Sequence, residues 1–261
     1  MADITAAMVK ALRDETGLGM MECKKALSEN NGDVEQAKDA LRTRGIATAE
    51  KRASRDTKEG VVLIIADDNQ ATMVEVLCET DFCSRNDEFQ TMAKEISEMA
   101  VQSDEGDIPA CDAIKERVQT TLAMIGENMS YSRGVKICAD SIGTYAHHNG
   151  KVGVIVGVNG QLDAETLSGL CMHIAFADPI GITGDDVPAD LVAKEKQIAM
   201  AQAVESGKNE EIAAMMVEGK MKKFIASKAL IEQAYVRDDK KQVKEILGDA
   251  TIKAFARFAI N

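Results

Sequence analysis

The spacing of apolar residues changes near Gly60, and this change divides the chain. Before Gly60, apolar side chains recur three or four positions apart, as in Ile4, Met8 and Leu12, which predicts three short helices within residues 4–45. Turns are predicted at 16–19 and 30–32, because glycine and asparagine tolerate the left-handed backbone that ends many helices. So small a helical module is better suited to docking than to catalysis.

After Gly60, apolar runs of strand length alternate with helical patterns. Residues 61–66 and 71–78 flank a polar turn, so they predict a hairpin, and a helix with Phe89, Met92 and Ile96 on one side follows. Further strands are predicted at about 132–140 and at 151–158, again before a helix. The order of hairpin and then helix occurs twice, which suggests a weak internal duplication packed as one body.

Two highly charged helical stretches, at about 188–205 and 210–227, are separated only by the polar residues 206–209. So short a turn predicts an antiparallel pair, and the thin apolar stripes suggest a projecting helical hairpin. A short helix through Leu247 and a final strand at 254–258 follow. We therefore predict an α+β fold with a three-helix module at 1–50, a linker at 51–59, one core half at 60–140 and a second at 141–261 that carries the hairpin.

One phenylalanine stands among polar residues in the segment 79–87, between the strand that ends at Cys78 and the next helix. Aromatic side chains are mostly buried, so Phe82 could fold back onto its own core. Alternatively, Asp81 and Phe82 form an exposed wedge for a partner protein, because an aromatic anchor beside a charge is typical of interface hot spots. The local sequence alone leaves both interpretations open.

The charge of the chain is unevenly distributed. The net charge is −12, yet the first 58 residues hold 11 Lys/Arg against 10 Asp/Glu, while the remainder holds 20 against 33. An acidic body repels phosphate backbones, so we expect no direct nucleic-acid binding and interpret the basic residues at 51–55 as a solvated linker. The chain has no apolar run of membrane-spanning length and no signal peptide at its start, which predicts a cytoplasmic protein without membrane contact.

Residues that carry enzyme chemistry are sparse. The six cysteines form no C-x-x-C pair, which fits reduced thiols, and the three histidines lack metal-ligand spacing. A phosphate-binding loop is also absent around Lys151, because Val152 stands where that loop needs Ser or Thr. We therefore expect no catalytic residue, no metal and no cofactor, and an enzyme acting on a small molecule is the least favoured class.

Met20 and Met21 directly follow the turn at 16–19. Both could fill the core of the module. However, adjacent helical positions cannot both face inward, so we expect one to be exposed, and flexible methionine suits a binding surface.

Several motifs together resemble the bacterial elongation factor Ts family. They are VKALRDETGLGMMECKKAL at 9–27, TDF at 80–82, YAH at 145–147, GKVGV at 150–154 and MVEGKMKKF at 216–224. They occur in the family's order and cover nearly the whole chain. The resemblance implies a ubiquitin-associated-like fold for the N-terminal module.

The resemblance also implies a function, that of a guanine nucleotide exchange factor for elongation factor Tu in translation elongation. Such a factor binds its partner in the GDP-bound and nucleotide-free states and promotes GDP release by disturbing the partner's Mg²⁺ and phosphate site. By resemblance, the loop that dislocates Mg²⁺ comprises Thr80, Asp81, Phe82 and Cys83. The other implied contact residues are Arg13, Met20, Met21, His147, Val236 and Arg237.

This chain departs from the family pattern at a few positions. Cys83 stands where a small aliphatic residue is usual, Arg237 where an apolar residue is expected, Tyr235 for a common Phe and Asn209 for a common Pro. The departures at 235 and 237 affect the C-terminal contact most. The alternative function is a ubiquitin-associated-type adaptor that binds proteins without exchanging nucleotide.

Overall fold

A computed structural model describes residues 4–52, 54–205 and 209–260. Within these residues the chain mixes helices and antiparallel sheets, which confirms the predicted α+β class. Part of the predicted turn at 206–209 lies outside the described residues. No helix in the described ranges is both long and apolar enough to cross a membrane.

Three helices form the N-terminal module: α1 (Ala6–Thr16), α2 (Met20–Glu29) and α3 (Val34–Arg52). Their small core contains Leu12, Cys23 and Leu27, all at helical spacing. Helix α3 continues to Arg52, so residues 51 and 52 of the predicted linker at 51–59 are helical, and the linker boundary stays a prediction. Alternating Ala and charged residues have high helix propensity, so the helix extends past the last apolar position without needing a stripe.

The first core half is a four-stranded sheet covered by helices. It comprises β1 (Glu59–Ala66), β2 (Gln70–Cys78), α4 (Asp81–Ser84), α5 (Asp87–Ala100), β3 (Gly106–Asp107), α6 (Asp112–Ile125) and β4 (Met129–Cys138). The strand order is β1-β2-β4-β3, and every pairing is antiparallel. Phe89 and Met92 of α5 and Ile114 of α6 pack against Val61 and Val76 of the sheet.

The second half repeats this plan with additions. It comprises β5 (Ser141–Ala146), β6 (Val152–Asn159), α7 (Ala164–Ala177), α8 (Ala189–Glu205), α9 (Glu210–Lys228), β7 (Ala234–Tyr235), β8 (Asp238–Gln242), α10 (Val243–Ile246) and β9 (Thr251–Ala259). The sheet order is β5-β6-β9, and β7 pairs with β8 in a separate small hairpin that the sequence pattern did not predict. Helix α7 packs its Leu170 and Ile174 onto β6.

The two sheets meet through their apolar faces, with Met73 and Ile137 of one against Ile155 and Phe258 of the other. Close approach depends on glycines in β6. A Cβ added at Gly153 would lie 2.5 Å from Val62 Cγ1, and one at Gly157 would lie 2.5 Å from Ile137 Cγ2. The halves are therefore packed as one body.

The N-terminal module contacts this body through α6. A Cβ at Gly17, whose φ is +69°, would lie 2.3 Å from Met124 Cε, and one at Gly45 would lie 3.0 Å from the Cβ of Ala123. The glycines thus let the α1–α2 turn and α3 approach α6 closely. An exposed ion pair between Arg42 and Glu116 adds to the contact.

Candidate partner-binding site

The resemblance implies a loop at 80–83. The structure instead has the single helical turn α4 within the segment 79–87. Thr80 forms its N-cap, since Thr80 Oγ1 accepts a hydrogen bond from the Cys83 N–H at 3.2 Å. The Ser84 hydroxyl donates to the Asp81 carbonyl at 2.9 Å. Short polar side chains that satisfy local backbone groups favour such a turn over an open loop.

Residues that are distant in the sequence form hydrogen bonds with the residues at the base of this turn. The Thr80 hydroxyl donates to Glu127 Oε2 at 2.9 Å, and the Asn128 N–H donates to Glu79 Oε1 at 2.5 Å. Arg55 lies 3.3 Å from Glu79 and its carbonyl accepts from Asn128 Nδ2 at 2.8 Å. Arg55, part of the basic segment interpreted as a solvated linker, therefore supports the turn.

Phe82 projects from the braced turn with 81% of its surface exposed. The interpretation that Phe82 folds back onto its own core is therefore wrong. Asp81 beside it is half-exposed and forms an ion pair with Arg85 at 3.2 Å. An exposed aromatic ring and a carboxylate on a rigid support match the predicted wedge in geometry.

Cys83 differs from the prediction that it contacts a partner, because its side chain is buried in the core of the first half. It faces Cys78, whose own thiol donates to the Thr80 carbonyl at 3.3 Å. The neighbouring Cys83 thiol and burial raise the pKa of Cys78, so Cys78 stays a thiol. Cys83 thus anchors the turn from inside.

The three predicted contact residues of the N-terminal module are exposed at one corner. Arg13 lies in the last turn of α1, where the Arg13 carbonyl accepts from the Gly17 N–H at 2.8 Å. Met20 and Met21 begin α2 directly after that turn, and both side chains are exposed, where the sequence predicted one. The core positions of α2 are instead Cys23, Ala26 and Leu27.

His147 lies after β5, on the connection to β6, and is half-buried. Its Nδ1 is 2.7 Å from the Tyr145 hydroxyl, and its ring centroid is 4.2 Å from that of His148. The ring is thus held in place while one part of it reaches solvent. Its predicted contact with a partner stays a prediction.

Val236 and Arg237 form the turn between β7 and β8, and both are exposed. Arg237 lies 3.6 Å from Glu165 of α7. The Tyr235 side chain before them is buried, and a Cβ at Gly169 would lie only 1.9 Å from the Tyr235 hydroxyl. The polar hydroxyl of Tyr235 therefore packs directly on the α7 backbone, and the turn is fixed to that helix.

Sequence reasoning missed two residues near this turn, His173 and Phe176 of α7. The buried His173 accepts from the Val236 N–H on Nδ1 at 3.2 Å, so its Nε2 bears the proton and donates to Gln233 Oε1 at 2.8 Å. Phe176 is 80% exposed. The helical period was the available signal for Phe176, because it falls off the face formed by Leu170 and Ile174.

The structure does not bring all the predicted residues into one cluster. The wedge lies on the first core half, Arg13, Met20 and Met21 lie on the module, and Val236 and Arg237 lie on the second half. Across the parts of the chain that are described, no group of three or more His, Cys, Asp or Glu side chains is arranged to hold a metal ion. The site consists of separated side chains, most of them exposed, an arrangement suited to contact with a large surface.

Comparison with known proteins identifies the family. The family model described as "Elongation factor TS" matches residues 79–261, more than half of the chain. An elongation factor Ts from Sphingopyxis alaskensis is 41% identical over 287 residues that cover 100% of this chain and 93% of that protein. Elongation factors Ts from a Psychrobacter species and from Vibrio cholerae are 40% and 41% identical, and each covers at least 98% of this chain and 91% of the relative.

The family model and the relatives all belong to one class of protein, the translation elongation factors, which is not a class of enzymes. Within that class, the chain belongs to the elongation factor Ts family. The resemblance found in the motifs is therefore confirmed over the full chain. The prediction that the chain is not an enzyme is confirmed by the family.

Proposed function

We propose that the chain is a guanine nucleotide exchange factor for elongation factor Tu that promotes GDP release by disturbing the Mg²⁺ and phosphate site of its partner. The main support for the proposal is the exposure of Phe82, 81% of whose surface is accessible beside Asp81. The turn that carries Phe82 is held by hydrogen bonds to Glu127 and from Asn128. A ring on a rigid support inserts without first having to be ordered, so less binding free energy is lost.

The wedge acts by displacing groups of the partner. Mg²⁺ requires near-ideal octahedral geometry and bridges the phosphates of a bound nucleotide, so a small shift of its protein ligands weakens GDP. Phe82 supplies the steric displacement, and Asp81 competes for polar groups of the partner. Cys83 stays buried and keeps the turn in place.

Thermodynamic linkage sets the energetic demand. A factor loosens GDP only as far as it binds the nucleotide-free partner more tightly than the GDP-bound one, and incoming nucleotide expels the factor by the same free energy. A 10⁴-fold weakening of GDP requires about 5.5 kcal/mol of differential contact. The remaining contacts would hold the partner while the wedge acts. They comprise Arg13, Met20, Met21, His147, Val236 and Arg237.

The test is release of a fluorescent GDP analogue from elongation factor Tu, with and without this chain. We expect strong acceleration by the unsubstituted chain and a much lower maximal rate with Phe82→Ala, whose melting temperature should be nearly unchanged because the ring is exposed. Met215→Ala, at an exposed apolar position of α9, is the matched control and should behave as the unsubstituted chain. No acceleration by the unsubstituted chain would overturn the proposal.

The second candidate is a ubiquitin-associated-type adaptor without exchange activity. It is favoured by the exposed Met20 and Met21 on the three-helix module, a flexible apolar pair suited to protein binding. The same measurement separates the two functions. Stable capture of elongation factor Tu without faster GDP release would support the adaptor.

A further inference from the structure

We infer that Phe176 and Val236 form one apolar contact surface, which binds an apolar side chain of the same partner. This inference rests on the proposed function and adds to it a residue, Phe176, that the resemblance does not include. The surface is defined by those two side chains and the groove between them, and is called the Phe176 surface below.

The groove has a volume of about 440 Å³ and runs between the end of α7, the end of α9 and the β7–β8 turn. Phe176 and Val236 are both exposed, at 80% and 44%. Ala177, Ala226 and Ala234 add to its apolar lining, and the charged Lys223 and Glu232 also line it. Apolar surface together with polar groups is usual in protein interfaces.

Hydrogen bonds join the three walls of the groove, and the one between His173 and Gln233 is buried. His173 lies three residues before Phe176 on α7 and accepts the Val236 N–H at 3.2 Å. It also bonds Gln233 at 2.8 Å, and Gln233 Nε2 donates to the Ser227 carbonyl at the end of α9 at 2.8 Å. One network thus fixes all three walls of the groove before any partner arrives.

The occupant follows from continuity with the proposed contacts. Val236 belongs to the contact turn of the proposed function and lines the same groove as Phe176. A partner that covers Val236 reaches the neighbouring ring of Phe176, because both side chains line the same groove. Large aromatic side chains dominate interface energetics when they are covered. The groove therefore fits an apolar side chain of elongation factor Tu.

The experiment compares Phe176→Ser with the unsubstituted chain in stimulated GDP release at increasing concentrations of the factor. We expect the half-saturating concentration to rise about tenfold or more, the scale of a hot-spot truncation, while the maximal rate stays unchanged. Phe82→Ala should show the opposite pattern, a lower maximal rate. Val204→Ser, at a 78% exposed position of α8, is the matched control for removing exposed apolar surface.

Three results would overturn the inference. An unchanged half-saturating concentration means that the partner does not cover the ring. Self-association of the unsubstituted chain, seen by sedimentation and lost in Phe176→Ser, means that a second copy covers it. If the unsubstituted chain does not accelerate GDP release at all, the proposed function fails and this inference fails with it. If the chain does accelerate release but Phe176→Ser leaves the half-saturating concentration unchanged, this inference alone fails, so the two failures are distinguishable.

Discussion

Thr80 combines two roles at the base of the wedge. Its hydroxyl accepts the Cys83 N–H at 3.2 Å and donates to Glu127 at 2.9 Å, so one side chain both caps α4 and attaches it to the segment before β4. Valine has nearly the same shape but lacks the hydroxyl. Its introduction would leave a helical N–H without its cap and the Glu127 carboxylate without this donor.

The first prediction therefore concerns Thr80→Val. We expect the free energy of unfolding to fall by about 1 kcal/mol, the usual cost of losing an N-cap side chain. Urea denaturation measures this, with Thr144→Val at an exposed strand position as the matched control. A loss no larger than that of the control would show that the cap does not stabilise the turn.

His173 shows how one buried side chain fixes a contact turn. Accepting the Val236 N–H requires an unprotonated Nδ1, and burial lowers the pKa of His173 from its usual range, against the opposing effect of the hydrogen bond to Gln233. In the unfolded chain the pKa is near 6.5. The folded state therefore binds fewer protons than the unfolded state just below that pH.

The second prediction concerns the pH dependence of stability. The contribution of His173 is fully present above about pH 6.5 and is lost as the pH falls from there through the lowered pKa of the folded state. His173→Asn retains an acceptor near Nδ1 but does not titrate, so we expect a smaller loss of stability over this window. Urea unfolding between pH 7.5 and 5 measures it, and the exposed His148→Asn is the control. Equal slopes for all three chains would contradict the prediction.

At the scale of elements, the contact between the sheets depends on a glycine of β6, which has no Cβ atom. Gly153 lies opposite Val62, and its absent Cβ would stand 2.5 Å from Val62 Cγ1 and 2.9 Å from Met73 Sδ. Valine is stiff at χ1, so the neighbour cannot simply turn away. Gly219 in α9 is the converse case, because a Cβ there would meet nothing within 4 Å.

The third prediction is that two Gly→Ala substitutions have opposite signs. Gly153→Ala should reduce the free energy of unfolding by about 1–3 kcal/mol through overpacking. Gly219→Ala should raise it by about 0.5–1 kcal/mol, because alanine loses less backbone entropy in a helix. Urea denaturation of both variants provides the test, and a destabilised Gly219→Ala would mean that α9 has a neighbour at this position.

The sequence predicted those elements in which the spacing of apolar residues matches the face that is buried. Helices α1, α2 and α5 bury one face each, and the spacing of their apolar residues predicted them. The β7–β8 hairpin was missed because its second strand, DDKKQ, is charged and has no alternation. The pairing of β9 with β6 was beyond local patterns, since the partners Ile155 and Ala256 lie far apart in the chain.

The candidate site shows the same division. The family resemblance implied Phe82, Met20, Met21 and Val236 as contact residues, and the structure shows that all four are exposed. The resemblance also assigned Cys83 to the contact loop, but adjacent helical residues point in different directions, and the Cys83 side chain is buried. Phe176 belongs to no quoted motif. Its place off the apolar face of α7 was the available sequence signal, and its exposure beside Val236 revealed it in the structure.

At the scale of the whole molecule, the position of the module relative to the wedge is set by its contact with α6. The exposed ion pair between Arg42 and Glu116 adds little stability, because solvent screens it. The close approach at Gly17 and Gly45 is the more demanding feature, since it permits α6 to pack against both the α1–α2 turn and α3. A side chain at Gly45 would push the module away while leaving both cores intact.

The fourth prediction is that Gly45→Leu raises the half-saturating concentration in stimulated GDP release several-fold and leaves the maximal rate unchanged. The wedge keeps its support from Glu127 and Asn128, whereas the corner with Arg13, Met20 and Met21 is displaced from the position at which it would hold the partner. Gly219→Leu, which meets open space, is the matched control. Hydrogen exchange should show that α1 and α2 stay protected in Gly45→Leu. With the module folded, an unchanged half-saturating concentration would show that its docking on α6 does not contribute to binding, and a lower maximal rate would show that the displacement reaches the wedge itself.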